Sequence, residues 1–408
     1  MKILVGVCGS VSAYKSIEFV RGLVKAGHQV KVILTNGAKK FVCPNLYSYL
    51  GAQEFYEASA DFSGSIESKS VLHIELAKWA DKLHIYPASA NTIAKLAMGQ
   101  ANDLLSSVFL AGWDKFQTII YPAMNTSMWT NPITQENIDL INRLDKHDHI
   151  YIYPPQSGTL ACGDTGSGKI PDVEEVLTNY DAINLGITDN SPHVVITAGA
   201  TVAPIDPVRF VTNPSSGKTG LEIAKQSLRL GNRTTVLLGE NSCDGFKHLA
   251  KLPGVKIIKV RTTDEMYEAV KSLENRFDTY ISTAAISDLK FKTAGDKLKK
   301  DTLSNSLEFE KAQDILSYVV SNQSPSQCIV GFAAETQMTK EVLESKYNRK
   351  PTKLLIGTHV NSGLCDKARQ GFGNDSATYT ILENGKVAFE GELSKLQLAK
   401  EIFERIKL

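Results

Sequence analysis

Residues 194–220 read VVITAGATVAPIDPVRFVTNPSSGKTG, and no other stretch says as much about the architecture. Val194–Ala198 is a short, mostly apolar run of the kind shown by a strand buried on both faces. It stops at Gly199. A polar loop punctuated by Pro204, Pro207 and Pro214 follows, and Ser215-Ser216-Gly217-Lys218 opens a helical pattern. Strand, glycine turn, loop and helix in this order begin an α/β domain. Here they lie in the middle of a 408-residue chain, so the reading predicts that one α/β domain has already run its course upstream.

The upstream half supports this. Lys2–Val7, Val30–Leu34, Lys82–Tyr86, Thr118–Tyr121 and Ile150–Tyr153 are expected strands, and Ser12–Ala26, Asn91–Gly99 and Leu104–Ala111 expected helices. Such alternation predicts a parallel sheet covered on both faces, with ligands at the carboxyl ends of its strands. Downstream, Val194–Thr197, Thr234–Leu238, Lys256–Val260, Thr279–Thr283, Cys328–Phe332 and Lys353–Gly357 repeat the pattern. Tyr379–Leu382 and Lys386–Phe389 flank Asn384-Gly385, a hairpin signal. A helix over Ser394–Ile406 closes the chain. The fold expected is α/β with two doubly wound domains, 1–185 and 186–408, joined within Asn179–Pro192.

Composition narrows the function classes. Apolar residues make 42% of the chain and charged residues 22%, as in ordinary globular proteins. A net charge of +1 argues against bulk binding to nucleic acid or an anionic membrane. No apolar run approaches the roughly 20 residues of a membrane helix. Six cysteines are scattered without metal-finger spacing, which suits a reduced, cytoplasmic protein.

Several motifs could carry chemistry. Ser216-Gly217-Lys218-Thr219 resembles the end of a phosphate loop, but Thr212 stands where that loop needs glycine. An anion site on the following helix is the alternative. The lysines of 290–300 read as phosphate-neutralising groups or as a solvated face. His147-Asp148-His149 reads as a surface turn. Cys162 lies in the glycine-rich segment Gly158–Lys169, which reads as an irregular, mobile flap carrying a thiol. His73 begins a helix, where a lone histidine is more often structural than catalytic.

Together these residues resemble a known family, the bifunctional phosphopantothenoylcysteine decarboxylases/phosphopantothenate–cysteine ligases of coenzyme A biosynthesis. The resemblance runs over essentially the whole chain. In the first half it is carried by Gly9-Ser-Val-Ser-Ala-Tyr-Lys15, His73, Pro87-Ala-Ser-Ala-Asn-Thr92, Pro122-Ala-Met-Asn125 and Leu160-Ala-Cys-Gly163. In the second half it rests on Pro204-Ile-Asp-Pro-Val-Arg-Phe210, Asn213, Ser215-Ser-Gly-Lys218, Asp288, Lys297-Leu-Lys-Lys300 and Gly331-Phe-Ala-Ala-Glu-Thr336.

The resemblance implies a flavodoxin-like, FMN-dependent cysteine decarboxylase domain followed by a Rossmann-like, CTP-dependent ligase domain. It implies Cys162 as proton donor, His73 in the oxidative step and Asn125 on the substrate carboxylate. FMN contacts would come from Gly9, Ser10, Thr35, Ser89 and Asn91. In the ligase, Asn213 and Lys297 would serve the acyl-cytidylate chemistry. Ala284, Asp288, Gln313, Asp314, Ile315, Leu316, Phe332, Lys346 and Lys350 would hold CTP, with Mg2+ accompanying it through ligands the sequence leaves unknown. The implied substrates are 4′-phosphopantothenate, cysteine, CTP and phosphopantothenoylcysteine. The implied assembly is a dodecamer of decarboxylase trimers linked by ligase dimers.

The chain departs from the family pattern at Val202-Ala203, where Arg-Glu is usual, at Lys169-Ile170, at Thr358-His359 and at Lys353. Two other readings compete with this one. A non-catalytic flavin-binding regulatory protein of the same fold would lack the cysteine segment or carry an acidic tail. A dinucleotide-dependent dehydrogenase would show G-x-G-x-x-G after a first strand, and neither half does.

Overall fold

The computed structural model describes residues 1–62, 71–147, 149–159, 163, 165–180, 182–184, 186–273, 276–299, 307–360 and 374–407. Cys162 and Lys300 therefore lie outside the described residues. The chain divides into two compact units, Met1–Asp181 and Ala182–Leu408.

In the first unit the strands are β1 (Lys2–Val7), β2 (Gln29–Leu34), β3 (Glu54–Glu57), β4 (Lys82–Ala88), β5 (Gln117–Pro122) and β6 (Ile150–Ile152). They form one parallel sheet in the order β3-β2-β1-β4-β5-β6. Ile3, Leu4, Val5 and Val7 of β1 are fully buried, as the centre of a sheet covered on both faces requires. Strand order reverses between β1 and β4, so a crevice opens there at the carboxyl edge. The crossover helices that cover the sheet include Lys15–Lys25, Leu72–Trp79, Ala90–Ala97 and Leu104–Ala111. Asp103 and Ser106 close the last of these with a reciprocal capping box. Helix Pro132–Leu144 escaped the sequence reading although its signals are present: Asn131 caps it, Pro132 fills its first turn, and Ile138 and Ile141 are buried.

The glycine-rich segment departs from expectation. Its arms are nevertheless strands: β7 (Gln156–Thr159) and β8 (Thr165–Lys169) pair antiparallel, Gly158 opposite Gly166, with a register shift between Gln156 and Ser157 that leaves Gly168 as the extra residue. The glycines had suggested irregular backbone. At Gly168 the need is steric, because its φ is +126° and an added Cβ would strike the Met124 carbonyl.

The second unit begins with β9 (His193–Ala198), the run quoted at the outset. A small ribbon follows, β10 (Val202–Pro204) with β11 (Phe210–Thr212). Then come β12 (Arg233–Leu238), β13 (Val255–Lys259) and β14 (Thr279–Ser282). A second ribbon is formed by β15 (Leu289–Phe291) and β16 (Phe309–Lys311). Last are β17 (Cys328–Glu335), β18 (Leu354–His359), β19 (Ser376–Glu383) and β20 (Lys386–Ser394). The main sheet runs β13-β12-β9-β14-β17-β18-β19-β20, parallel through β18 and antiparallel beyond. Asn384 and Gly385 have φ of 48° and 80°, which is the type I′ turn their sequence promised. The terminal helix Lys395–Ile406 packs on helix Lys218–Arg229.

Candidate functional site

In the first unit, parallel pairing carries Gly9 and Ser10, Thr35, Ser89 and Asn91, and Asn125 to the carboxyl edge of the sheet, just beyond β1, β2, β4 and β5. Their hydroxyls have local work. Ser10 accepts from the Ser12 N–H at 3.3 Å, and Ser89 caps helix Ala90–Ala97 by accepting from the Thr92 N–H at 3.4 Å. Thr35 donates to the Val7 carbonyl at 3.3 Å and accepts from the Ala38 N–H at 3.3 Å. Asn91 is exposed on that helix. Small groups and helix-start amides thus gather at this edge, which suits a phosphorylated flavin. Cys8, just after β1, is fully buried in the hydrophobic core, and burial pushes its thiol up to about 12.

Asn125 caps the short helix Thr126–Trp129, its side-chain oxygen accepting from the Ser127 N–H at 2.8 Å. The Met124 N–H donates to the Gly168 carbonyl at 3.1 Å, so β8 is laced to the loop that carries Asn125. The base of the hairpin is also pinned. Lys15 donates to Asp172 at 2.6 Å, and Tyr86 donates to the Pro171 carbonyl at 2.8 Å. Lys169, one of the departures named above, lies 3.7 Å from the same Asp172.

His73 lies at the start of helix Leu72–Trp79. Because a crossover helix runs back across the sheet, its first turn lies at the carboxyl edge, near the loops named above. Its ring nitrogen Nδ1 is 2.6 Å from Asp61 Oδ2. Asp61 was absent from the sequence reading. It lies in a polar stretch whose only visible signal was an acidic residue shortly before a histidine-led helix.

The second unit holds a cavity of about 840 Å3 at the carboxyl ends of β14, β17 and β18. Asn213, Ala284, Asp288, Gln313, Asp314, Ile315, Leu316, Phe332, Lys346 and Lys350 all line it. So do Gly217 to Gly220, the start of helix Lys218–Arg229. The Asn213 amide donates to the carbonyls of Ala285 and Ile286, each at 3.3 Å, which fixes its plane. Lys346 pairs with Glu335, and Lys350 pairs with Asp314. Partial burial would raise the Asp314 carboxyl, but the Lys350 ammonium and the Ser317 N–H outweigh it and hold it below the usual range. Asp314 also caps helix Ile315–Asn322.

Lys297 does not line the cavity. It is exposed on a loop fastened to the Pro204–Arg209 motif: Asp206 accepts from the Leu298 N–H at 3.2 Å, and Arg209 donates to the Leu298 carbonyl at 2.5 Å. Among the departures, Val202 and Ala203 are buried in β10, Thr358 lines the cavity, and Lys353 pairs with Glu383 at 3.1 Å.

Two cavity lysines, Lys311 and Lys395, lie outside the sequence motifs. Lys395 opens the terminal helix, where the helix dipole disfavours a cation, and that mismatch was the available signal. It is buried and donates to the Asn374 carbonyl. Burial and the neighbouring Lys218 charge push its ammonium below the ordinary lysine range. With Lys218, Lys311, Lys346 and Lys350 it sets lysines in excess over Asp288 and Asp314 in the lining, and three of them, Lys218, Lys346 and Lys350, pair with carboxylates that a polyphosphate ligand could replace.

Among the described residues no helix is long and apolar enough to cross a membrane, and no cluster of three or more His, Cys, Asp or Glu could hold a metal ion.

Comparison with known proteins divides the chain in the same place. The family described as Flavoprotein matches residues 1–185, and the DNA/pantothenate metabolism flavoprotein C-terminal domain matches residues 190–408. The coenzyme A biosynthesis bifunctional protein CoaBC of Bacillus subtilis (strain 168) is 35% identical over 409 residues, covering 99% of this chain and 96% of its own. Its counterpart from Vibrio parahaemolyticus is 33% identical over 410 residues, covering 100% and 98%. A crystal structure of the C-terminal domain of a protein of that name is 28% identical and covers 56% of this chain and 96% of its own, with a TM-score of 0.42.

Proposed function

The chain belongs to the family of coenzyme A biosynthesis bifunctional proteins, and from that premise we propose the two reactions below and the residues that run them. It is a bifunctional enzyme with an N-terminal flavoprotein decarboxylase domain and a C-terminal ligase domain. The observation that carries the reading is the lysine-rich cavity of the second unit, which gathers Asn213, Asp288, residues 313–316, Phe332, Lys346 and Lys350 from separate loops.

In the ligase, the carboxylate of 4′-phosphopantothenate attacks the α-phosphorus of CTP and pyrophosphate leaves. The cysteine amine then attacks the acyl carbon of the acyl-cytidylate and CMP leaves. Lys346 and Lys350 exchange their carboxylate partners for phosphate oxygens and offset the negative charge that develops. Asp288 takes the ribose or a Mg2+-linked group, and Phe332 packs beside the nucleotide. Asn213, its plane already fixed, meets the acyl intermediate. Lys297 approaches the triphosphate on its loop. Mg2+ sheds water reluctantly and is usually held by one or two carboxylates together with phosphates. Asp288 fits that pattern, so the metal would arrive with CTP.

In the decarboxylase the crevice at the β1/β4 reversal fits FMN, with Gly9, Ser10, Thr35, Ser89 and Asn91 around it. FMN, when bound, takes up and later returns the two electrons of an oxidative decarboxylation. Asn125 receives the substrate carboxylate and His73 accepts a proton during oxidation. Cys162 returns a proton to the enethiolate after CO2 leaves. The protein would work in the cytoplasm as a dodecamer of decarboxylase trimers joined by ligase dimers, which light scattering would test.

The deciding experiment supplies phosphopantothenate, cysteine and CTP and follows pyrophosphate release and product masses. Phosphopantothenoylcysteine and then phosphopantetheine are expected. No pyrophosphate release from the wild-type protein would sink the ligase half.

A further inference from the structure

The Asp61 carboxylate is 3% exposed and receives two hydrogen bonds from one residue. The main-chain N–H of His73 donates to Oδ1 at 3.1 Å, and the His73 ring lies with Nδ1 2.6 Å from Oδ2. A carboxylate can only accept, so the ring proton is on Nδ1. In the neutral ring the lone pair is then on Nε2, and the side chain is 28% exposed.

An aspartate that accepts a main-chain N–H at the start of a helix is commonplace, and stabilising the helix would account for the 3.1 Å bond. It does not account for the second, shorter bond to the ring. We propose that Asp61 is a positioning residue of the decarboxylase half: it fixes His73 in the tautomer whose Nε2 accepts a proton, and it stabilises the imidazolium that results. The proposal rests on the role given to His73 above.

The pairing makes a sharp demand on any substitute. The main-chain N–H cannot change its role, whereas an imidazole nitrogen can. An asparagine in place of Asp61 has one oxygen and one NH2. If the oxygen faced the ring, the NH2 would meet the main-chain N–H, donor against donor, and a buried donor would go unpaired. The oxygen must therefore face the main-chain N–H. The NH2 then meets Nδ1, which has to accept, and the ring proton moves to Nε2. Asp61→Asn is nearly isosteric, yet it turns Nε2 from acceptor into donor.

The test uses the full chain with 13C,15N-labelled histidine. The His73 ring signals are identified by their loss in His73→Asn, and the Cδ2 shift reports which nitrogen carries the proton. This measurement requires neither flavin nor turnover. Wild type is expected to carry the proton on Nδ1 and Asp61→Asn on Nε2. For decarboxylation, Asp61→Asn should lower kcat about 10²-fold or more, with KM changed less than about twofold because substrate binding is spared. Ligase turnover in the same preparation should be unchanged. In the His73→Asn background, Asp61→Asn should lower the rate no further. A wild-type ring protonated on Nε2 overturns the proposal even if Asp61→Asn fails to fold, and so do multiplicative losses in the double variant. A wild-type protein that does not decarboxylate phosphopantothenoylcysteine would instead overturn the role of His73, and the tautomer measurement tells the two failures apart.

Discussion

His73 shows how little one side chain reveals by itself. Its neighbours in sequence are ordinary helix residues, and only the fold brings Asp61 to 2.6 Å. His73→Asn should therefore lower decarboxylation by orders of magnitude, stalling it before CO2 is lost, with ligase turnover intact. Loss of both activities together would indicate a folding role. Cys162→Ser should stall later. CO2 should still be released, but an oxidised enethiol product should accumulate in the mass spectrum, because a serine hydroxyl is a far weaker acid than a thiol. A normal yield of phosphopantetheine would remove Cys162 from the mechanism. Asp103 gives a prediction about stability. Burial would push its carboxyl up, but Lys95 at 2.8 Å and the Ser106 N–H hold it below its ordinary value of 3.8. A depressed folded-state value means the stabilisation is present above 3.8 and is lost as pH falls through that depressed value. Asp103→Ala should cost about 1–2 kcal/mol at neutral pH. The difference in melting temperature from wild type should narrow progressively below pH 4.

Among the elements, the β7–β8 hairpin gives the sharpest test, because the proposed proton donor Cys162 stands between its strands in the sequence. Its sequence suggests mobile, irregular backbone; its arms pair antiparallel around a register shift at Gly168, and its base is held by Lys15 and Tyr86. Gly168 is where it meets the Asn125 loop, main chain against main chain. Gly168→Ala combines a disfavoured positive φ with a clash against backbone, which cannot swing away as a side chain could. It should push β8 off the Met124 carbonyl and lower decarboxylase kcat at least about tenfold, a cost of roughly 1.4 kcal/mol or more. Unchanged kcat, measured beside an unchanged ligase rate, would show that the hairpin tolerates displacement. The Asn384-Gly385 hairpin is the contrasting case, because its local chemistry alone dictated its turn.

Across the molecule, the two compact units predict separable lesions. Lys297→Gln and Asn213→Asp should each lower CTP-dependent pyrophosphate release or acyl transfer by orders of magnitude, through loss of a positive charge and through a carboxylate that repels the developing oxyanion. Both variants should keep decarboxylase turnover in the same preparation. Lys297 gives the stricter test, since it is exposed and outside the cavity. A Lys297→Gln protein with wild-type pyrophosphate release would place that loop outside the reaction. Lys395→Ala should weaken phosphate-ester binding, seen as a raised KM.

The amino-acid sequence by itself determined the alternation of strands and helices, the second α/β start at Val194 and the Asn384-Gly385 turn. Each is set by local periodicity or backbone preference, which neighbours in sequence are enough to specify. Its motifs also marked most of the cavity lining, including Asn213, Asp288, Phe332 and Lys350, through resemblance to the family. Only the tertiary structure decided which side chains pair across long gaps. It set Asp61 against His73, Glu335 against Lys346, and Asp314 against Lys350. It also buried Lys395 in the cavity and left Lys297 outside it. The physical reason is that hydrogen bonds and ion pairs depend on distances of about 3 Å in space, and chain separation carries no record of those distances until the sheet has closed.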